Sequence, residues 1–230
     1  MFNNKPALEF STVHSQLIEL FPPKYTNKQI PNWFKNLNTG EMTNIKHCPG
    51  LTELWRDCIG IPMWRDMTIT YDDKNVIDVR IAGIDASRTL EHISFHPIQQ
   101  VDGAFKNVIH VKIVNPWIIK SKTLTKYYMV DALWHKHDLS KYNVLPGVLE
   151  FKHQHNCHLN IMLNLTGKEE TIEFKAGTPV AYLIPQTDKK VSLKYKTITQ
   201  DEYNNSLPYV WTNKHLYNRT KQWLKEKWYE

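Results

Sequence analysis

The sequence predicts a mainly β protein: an antiparallel β-sandwich, jelly-roll or β-clip-like core, with a short N-terminal helical region and a C-terminal helix. Three observations predict it. Apolar and polar residues begin to alternate with period two near Met67 and stop doing so after Lys196, the signature of half-buried strands. Short runs rich in β-branched and aromatic residues recur between turn signals. Residues 145–185, LPGVLEFKHQHNCHLNIMLNLTGKEETIEFKAGTPVAYLIP, read as consecutive strands with a tight turn near Gly177. The chain therefore divides into residues 1–60, an arm and short helix packed on the core, residues 61–196, the β core, and residues 197–230, an extension with an amphipathic helix.

In chain order, residues 1–50 hold few strand-like runs. Residues 11–21 (STVHSQLIELF) suit a short helix or strand, which Pro22 and Pro23 stop. Residues 25–37 read as an extended arm followed by a helical turn, with Pro31 and Asn32 at its start and Trp33 and Phe34 pinning the arm to the main body. Leu51, Leu54, Trp55 and Cys58 fall at helical spacing, and Gly60 lies where a C-cap glycine would end that helix. Eight strands are expected at residues 67–71, 76–82, 108–114, 124–130, 158–165, 171–174, 180–184 and 191–196. Asn115-Pro116-Trp117 should end a strand at a bend and bury the indole. Gly177-Thr178-Pro179 should form a turn entering an edge strand, because proline cannot donate to a ladder. Residues 211–228 (WTNKHLYNRTKQWLKEKW) have the pattern of an amphipathic helix.

Composition sets bounds on function. Of 230 residues, 41% are hydrophobic and 23% charged, and 8 Trp, 11 Tyr and 8 Phe stand against only 8 Gly, so an ordered globular body is expected. The net charge of +6 comes from dispersed Lys and Arg with one cluster near the C-terminus, which disfavours a dedicated nucleic-acid surface. Cys48, Cys58 and Cys157 are odd in number and form no CxxC, so neither a disulfide framework nor a thiolate zinc site is expected, and all three read as partly buried thiols. MFNNKPALEF lacks the features of a signal peptide, and no apolar run reaches the ~20 residues of a membrane span. Secretion by way of a signal peptide is therefore not expected.

The candidate site residues are histidines. His135 and His137, then His153 and His155, sit two apart, so on a strand each pair points one way and can present two imidazoles to one metal; His158 lies close by. A cupin-like site needs a glutamate a few residues beyond its HxH, and Asp138, Leu139, Ser140 and Lys141 follow His137 instead. No cofactor is therefore expected, with a divalent metal as the alternative. Asp66 and Asp85 follow apolar runs and fit turn caps better than general bases. Cys157 and His158 are adjacent, so on a strand they face opposite sides and suit proton transfer poorly. No nucleophile elbow, P-loop, dinucleotide fingerprint or HExxH occurs.

Three segments, residues 45–66 (IKHCPGLTELWRDCIGIPMWRD), 114–119 (VNPWII) and 174–185 (FKAGTPVAYLIP), resemble in content and order an uncharacterised family of tailed marine phage proteins with bacterial relatives. That family carries a proline-rich N-terminal arm and no activity that can be transferred. Its Gly-Tyr-Ser step after Asn-Pro-Trp is replaced here by residues 123–128 (TLTKYY). A weaker similarity links PGVLEF and GTPVAY to the closing strands of deoxyuridine triphosphatases, a β-clip fold. Glu150 stands where that family's uracil-binding turn needs aspartate, and its Pro-Arg-Ser-Gly motif is missing. The phage resemblance implies a non-enzymatic virion component or accessory factor that acts through protein–protein contacts as a homo- or hetero-oligomer. Trp211, Leu216, Trp223, Leu224 and Trp228 are the expected docking residues. The alternatives are a metal-dependent cupin-like enzyme using His135, His137, His153 and His155, and a nucleotide-handling β-clip protein.

Overall fold

A computed structural model describes residues 5–38, 40, 44–96, 107–136, 138–152 and 156–206. Its strands are β1 Ala7–Thr12, β2 Lys24–Tyr25, β3 Ile59–Pro62, β4 Met67–Tyr71, β5 Val76–Ile81, β6 Ile93–Phe95, β7 Val108–Ile113 and β8 Ile118–Ser121. They continue with β9 Lys126–Asp131, β10 Tyr142–Val144, β11 Gly147–Glu150, β12 Leu159–Asn164, β13 Glu170–Phe174, β14 Pro179–Pro185 and β15 Ser192–Thr197. The α-helices are α1 Ser15–Leu20, α2 Asn32–Lys35, α3 Pro49–Asp57 and α4 Gln200–Ser206. The protein is mainly β, as the alternation predicts, and all eight expected strands are present with ends shifted by a residue or two.

The strands form four sheets, ordered β15-β1-β8, β10-β12-β7-β6, β11-β9-β14-β3-β2 and β13-β4-β5. Alternation builds each one. In β4, Met67, Ile69 and Tyr71 are buried while Thr68 and Thr70 are half-buried, and Ile172 and Phe174 of β13 face inward beside them. On the outward side of that pair, the Thr70 and Thr171 hydroxyls meet at 3.2 Å. Leu8 and Phe10 of β1, Val111 and Ile113 of β7, Ile59 and Ile61 of β3, and Ile69 of β4 belong to one continuous core, so the four sheets enclose a single apolar interior in sandwich fashion.

Several details depart from expectation. Strand pairing starts at Ala7, well before the alternation near Met67, and β1 lies between β8 and β15. Its pairing with β15 is parallel, whereas the other ladders are antiparallel. Gly60 does not cap a helix: Cys58 is the C-cap of α3, and Gly60 is already in β3 opposite Tyr182. A Cβ there would press on the Gln29 side-chain oxygen, so a larger residue at this position needs the Gln29 side chain to move. Pro179 opens a central strand, not an edge strand, since β14 lies between β9 and β3. The ladder tolerates it because it is the first residue of the strand, where the register also shifts before Ala181. The turn before it has Gly177 at φ +80°, a left-handed conformation that glycine adopts freely. Cys48 is exposed, while Cys58 and Cys157 are buried with their thiols pushed up to about 12 by burial.

Candidate functional site

Two of the five candidate histidines are described. His158 precedes β12; its Nδ1 accepts the Asn115 backbone N–H at 3.3 Å, and burial pulls its pKa down to about 4. It steadies the bend at Asn115, where Oδ1 also accepts the Trp117 N–H and the Trp117 indole is fully buried. His135 closes a short 3-10 turn after β9. Its ring lies 6.1 Å from that of Trp55 and 5.9 Å from that of Tyr182, and burial pulls it too down to about 4. Both imidazoles are therefore neutral at neutral pH. His137, His153 and His155 lie outside the described residues, as do Trp211, Leu216, Trp223, Leu224 and Trp228. Among the described residues no group of three or more His, Cys, Asp or Glu could hold a metal ion.

Next to His135 the fold joins two sheets through a buried ion pair. Lys136 Nζ contacts Asp131 Oδ2 at 2.5 Å with the lysine side chain only 2% exposed. The same ammonium donates to the Tyr142 carbonyl at 2.6 Å and lies 3.9 Å from the centre of the Tyr142 ring. Asp131 Oδ2 also accepts the Val144 N–H at 3.0 Å. Asp131 ends β9 of the five-stranded sheet, and Tyr142 and Val144 are in β10 of the four-stranded one, so the pair latches the sheets together. Burial lowers the Lys136 pKa and the Asp131 carboxylate opposes that shift. With its three N–H groups facing a carboxylate, a carbonyl and a ring face, the ammonium is already satisfied, so Lys136 reads as a structural tie and not as a nucleophile. A cavity of about 240 Å³ lies alongside, lined by His135, Lys136, Tyr142 and Phe174. Asp131 Oδ1, Tyr182 Oη, Trp55 Nε1 and His135 Nε2 are buried here with no hydrogen-bond partner.

The other feature is an open sheet face. On the outer side of the five-stranded sheet, α3 covers Val130 and Tyr182 with Leu51 and Trp55. The Phe34 ring lies 5.6 Å from that of Trp55, tilted against it, and Trp33 Nε1 donates to the Trp134 carbonyl at 2.9 Å, so the arm is pinned as its aromatic pair predicts. Beyond the cover of α3 the next row on the same face is Val148, Tyr128 and Ile184, opposite one another in register across β11, β9 and β14. Val148 is 56% exposed and Tyr128 44%. Strand β11 is at the edge of its sheet, and Lys126 stands opposite Glu150 at the end of the row. Reading the sequence alone missed this surface, because Val148 and Tyr128 become neighbours only once β9 and β11 pair.

Asp66 and Asp85 act as turn caps. Asp66 Oδ1 accepts the Ala176 N–H at 2.8 Å, and Asp85 Oδ1 accepts both the Ser87 N–H and its hydroxyl, which holds the Asp85 pKa below the usual range. No helix among the described residues is long and apolar enough to cross a membrane. Compared with protein-family models, curated proteins and solved structures, the chain matches none.

Proposed function

We propose that the chain is a non-enzymatic β-sandwich protein that works through protein–protein contacts, with the β11 side of the five-stranded sheet as a contact surface between copies. The observation that supports this is the in-register row of Val148 on the edge strand β11 and Tyr128 on its neighbour β9, both open to solvent. An apolar row beside an unpaired edge is what association surfaces use and what solitary domains conceal. A two-fold axis beside β11 at Val148 would set the Val148 and Tyr128 of one copy beside those of the other, apolar residues against apolar residues. A setting as a phage virion component or accessory factor rests on the resemblance of the segments at residues 45–66, 114–119 and 174–185.

The test is light scattering on the purified chain and on a Tyr128→Lys, Val148→Lys variant. The expected result is an oligomer for the unaltered chain and a monomer with unchanged circular dichroism for the variant. An unaltered chain that stays monomeric, or a variant that keeps the oligomer, overturns the proposal.

A further inference from the structure

We propose that the cavity between α1, the Trp64–Arg65 turn, the 3-10 turn at Ala86–Glu91 and α4 is a binding site for an organic phosphomonoester, with Arg65 as its principal anion ligand. This site is separate from the β11 surface and does not depend on it.

The cavity measures about 420 Å³, and its lining includes His14, Arg65, Arg88, Glu91, His92 and Tyr203. Cationic and potentially cationic groups dominate it. The one carboxylate, Glu91, is already engaged by Arg88, which donates to its two oxygens from Nε at 3.0 Å and Nη2 at 2.8 Å. Arg65 makes no ion pair with any described residue; its Nη1 donates to the Ala82 carbonyl at 2.9 Å, which leaves the rest of its fork free.

The backbone around Arg65 is fitted to the guanidinium. Gly83 has φ +71°, and a Cβ there would stand 2.8 Å from Arg65 Nη1. Glycine thus serves the turn and the close approach of the side chain together. The turn itself is tied to the end of β5, because the Ala82 N–H donates to the Asp66 carbonyl at 2.9 Å. Arg65 is held in place without a counter-charge, the arrangement that suits an arriving oxyanion.

The histidines converge on the same point. His14 is lowered by burial and then by Arg65. His92 is lowered by burial, with Arg65, Arg88 and His14 adding to the shift and Glu91 opposing it. Asp85, on the neighbouring turn, is occupied by Ser87, and α4 contributes the uncharged Gln200 and Tyr203. A bound dianion would supply the negative charge that both imidazoles lack and draw protons onto them. Trp64, Ile84 and Pro116 add apolar wall, and the space exceeds what a bare phosphate fills, so the ligand should carry an organic body.

Isothermal titration with phenyl phosphate, inorganic phosphate and sulfate tests the site. Phenyl phosphate should bind saturably and more tightly than inorganic phosphate. Arg65→Gln should weaken binding by about tenfold or more with an unchanged melting curve, as loss of a charge-assisted bidentate contact implies. Sulfate does not titrate near neutrality, so its affinity should rise as the pH falls through and below about 6.5 and the imidazoles take up protons, and His92→Gln should blunt that rise. Lack of saturable binding by phenyl phosphate overturns the proposal. So does binding that survives Arg65→Gln, or equal affinity for phenyl phosphate and inorganic phosphate, which would show no organic subsite. Should Arg65→Gln fail to fold, Arg88→Gln takes its place, and undiminished binding in that variant is equally fatal.

Discussion

His135 and His158 share an environment that holds each imidazole near pKa 4, against 6.5 for an unhindered ring. In both cases burial is the first cause, so the neutral ring belongs to the folded state. Below about pH 6.5 the unfolded chain takes up protons that the folded chain refuses, and stability falls by roughly 1.4 kcal/mol per pH unit for each such proton until the folded pKa is reached. The partial exposure of His135 moderates its share. Urea denaturation between about pH 7 and about pH 4 should show this loss, and His158→Gln should flatten the slope while costing some stability at neutral pH through the Asn115 contact. A stability unchanged over that interval would contradict the burial described for these rings. From the residues alone, His135 and His158 were legible as a cluster in sequence and as metal candidates. Their actual work, packing against Trp55 and Tyr182 and accepting from Asn115, depends on partners far along the chain, which periodicity does not reveal.

Between elements, the tie from β9 to β10 concentrates charge where the interior is dry. Lys136→Met should cost about 3–5 kcal/mol in denaturant titrations, since it strands Asp131 as a buried charge without its partner. Adding Asp131→Asn to that variant should recover part of the loss, because the desolvated charge is then gone; a double variant no better than Lys136→Met would argue against an ion-pair origin. Strand periodicity made most of these elements readable, since β4, β12 and β13 each show one apolar face to a single core. What remained hidden had physical reasons. β1 carries buried Ser11 and Thr12 at its end, so its alternation is broken. β3 is buried along its whole length and offers no period to find. Proline usually marks an edge strand, but β14 is central, because its prolines, Pro179 and Pro185, stand at the two ends of the strand, where a missing N–H costs the ladder least.

For the whole molecule, the four sheets share one interior, so damage to one should be felt cooperatively by all. Deleting residues 1–13 removes β1, the middle strand of its sheet, together with Leu8 and Phe10 from the core. The expected result is loss of a cooperative thermal transition. Deleting residues 207–230 removes no residue of the described core, and that shortened chain should still melt cooperatively by calorimetry. A deletion of residues 1–13 that still melts sharply would show that β1 is dispensable.

The pairing of β1 with β15 also has a temporal side. Ala7 meets Ser192 and Thr12 meets Thr197, so β1 must wait until β15 has been made. At translation rates of about 5–20 residues per second, that wait is roughly 10–40 s, during which the apolar ALEF stretch is without its parallel partner. Its antiparallel partner β8 arrives midway and can shelter only one edge. Closure of this sheet therefore carries a high contact order, is slow compared with the folding of helical proteins of similar length, and relies on whatever the cell provides to keep a nascent edge from pairing with the wrong neighbour.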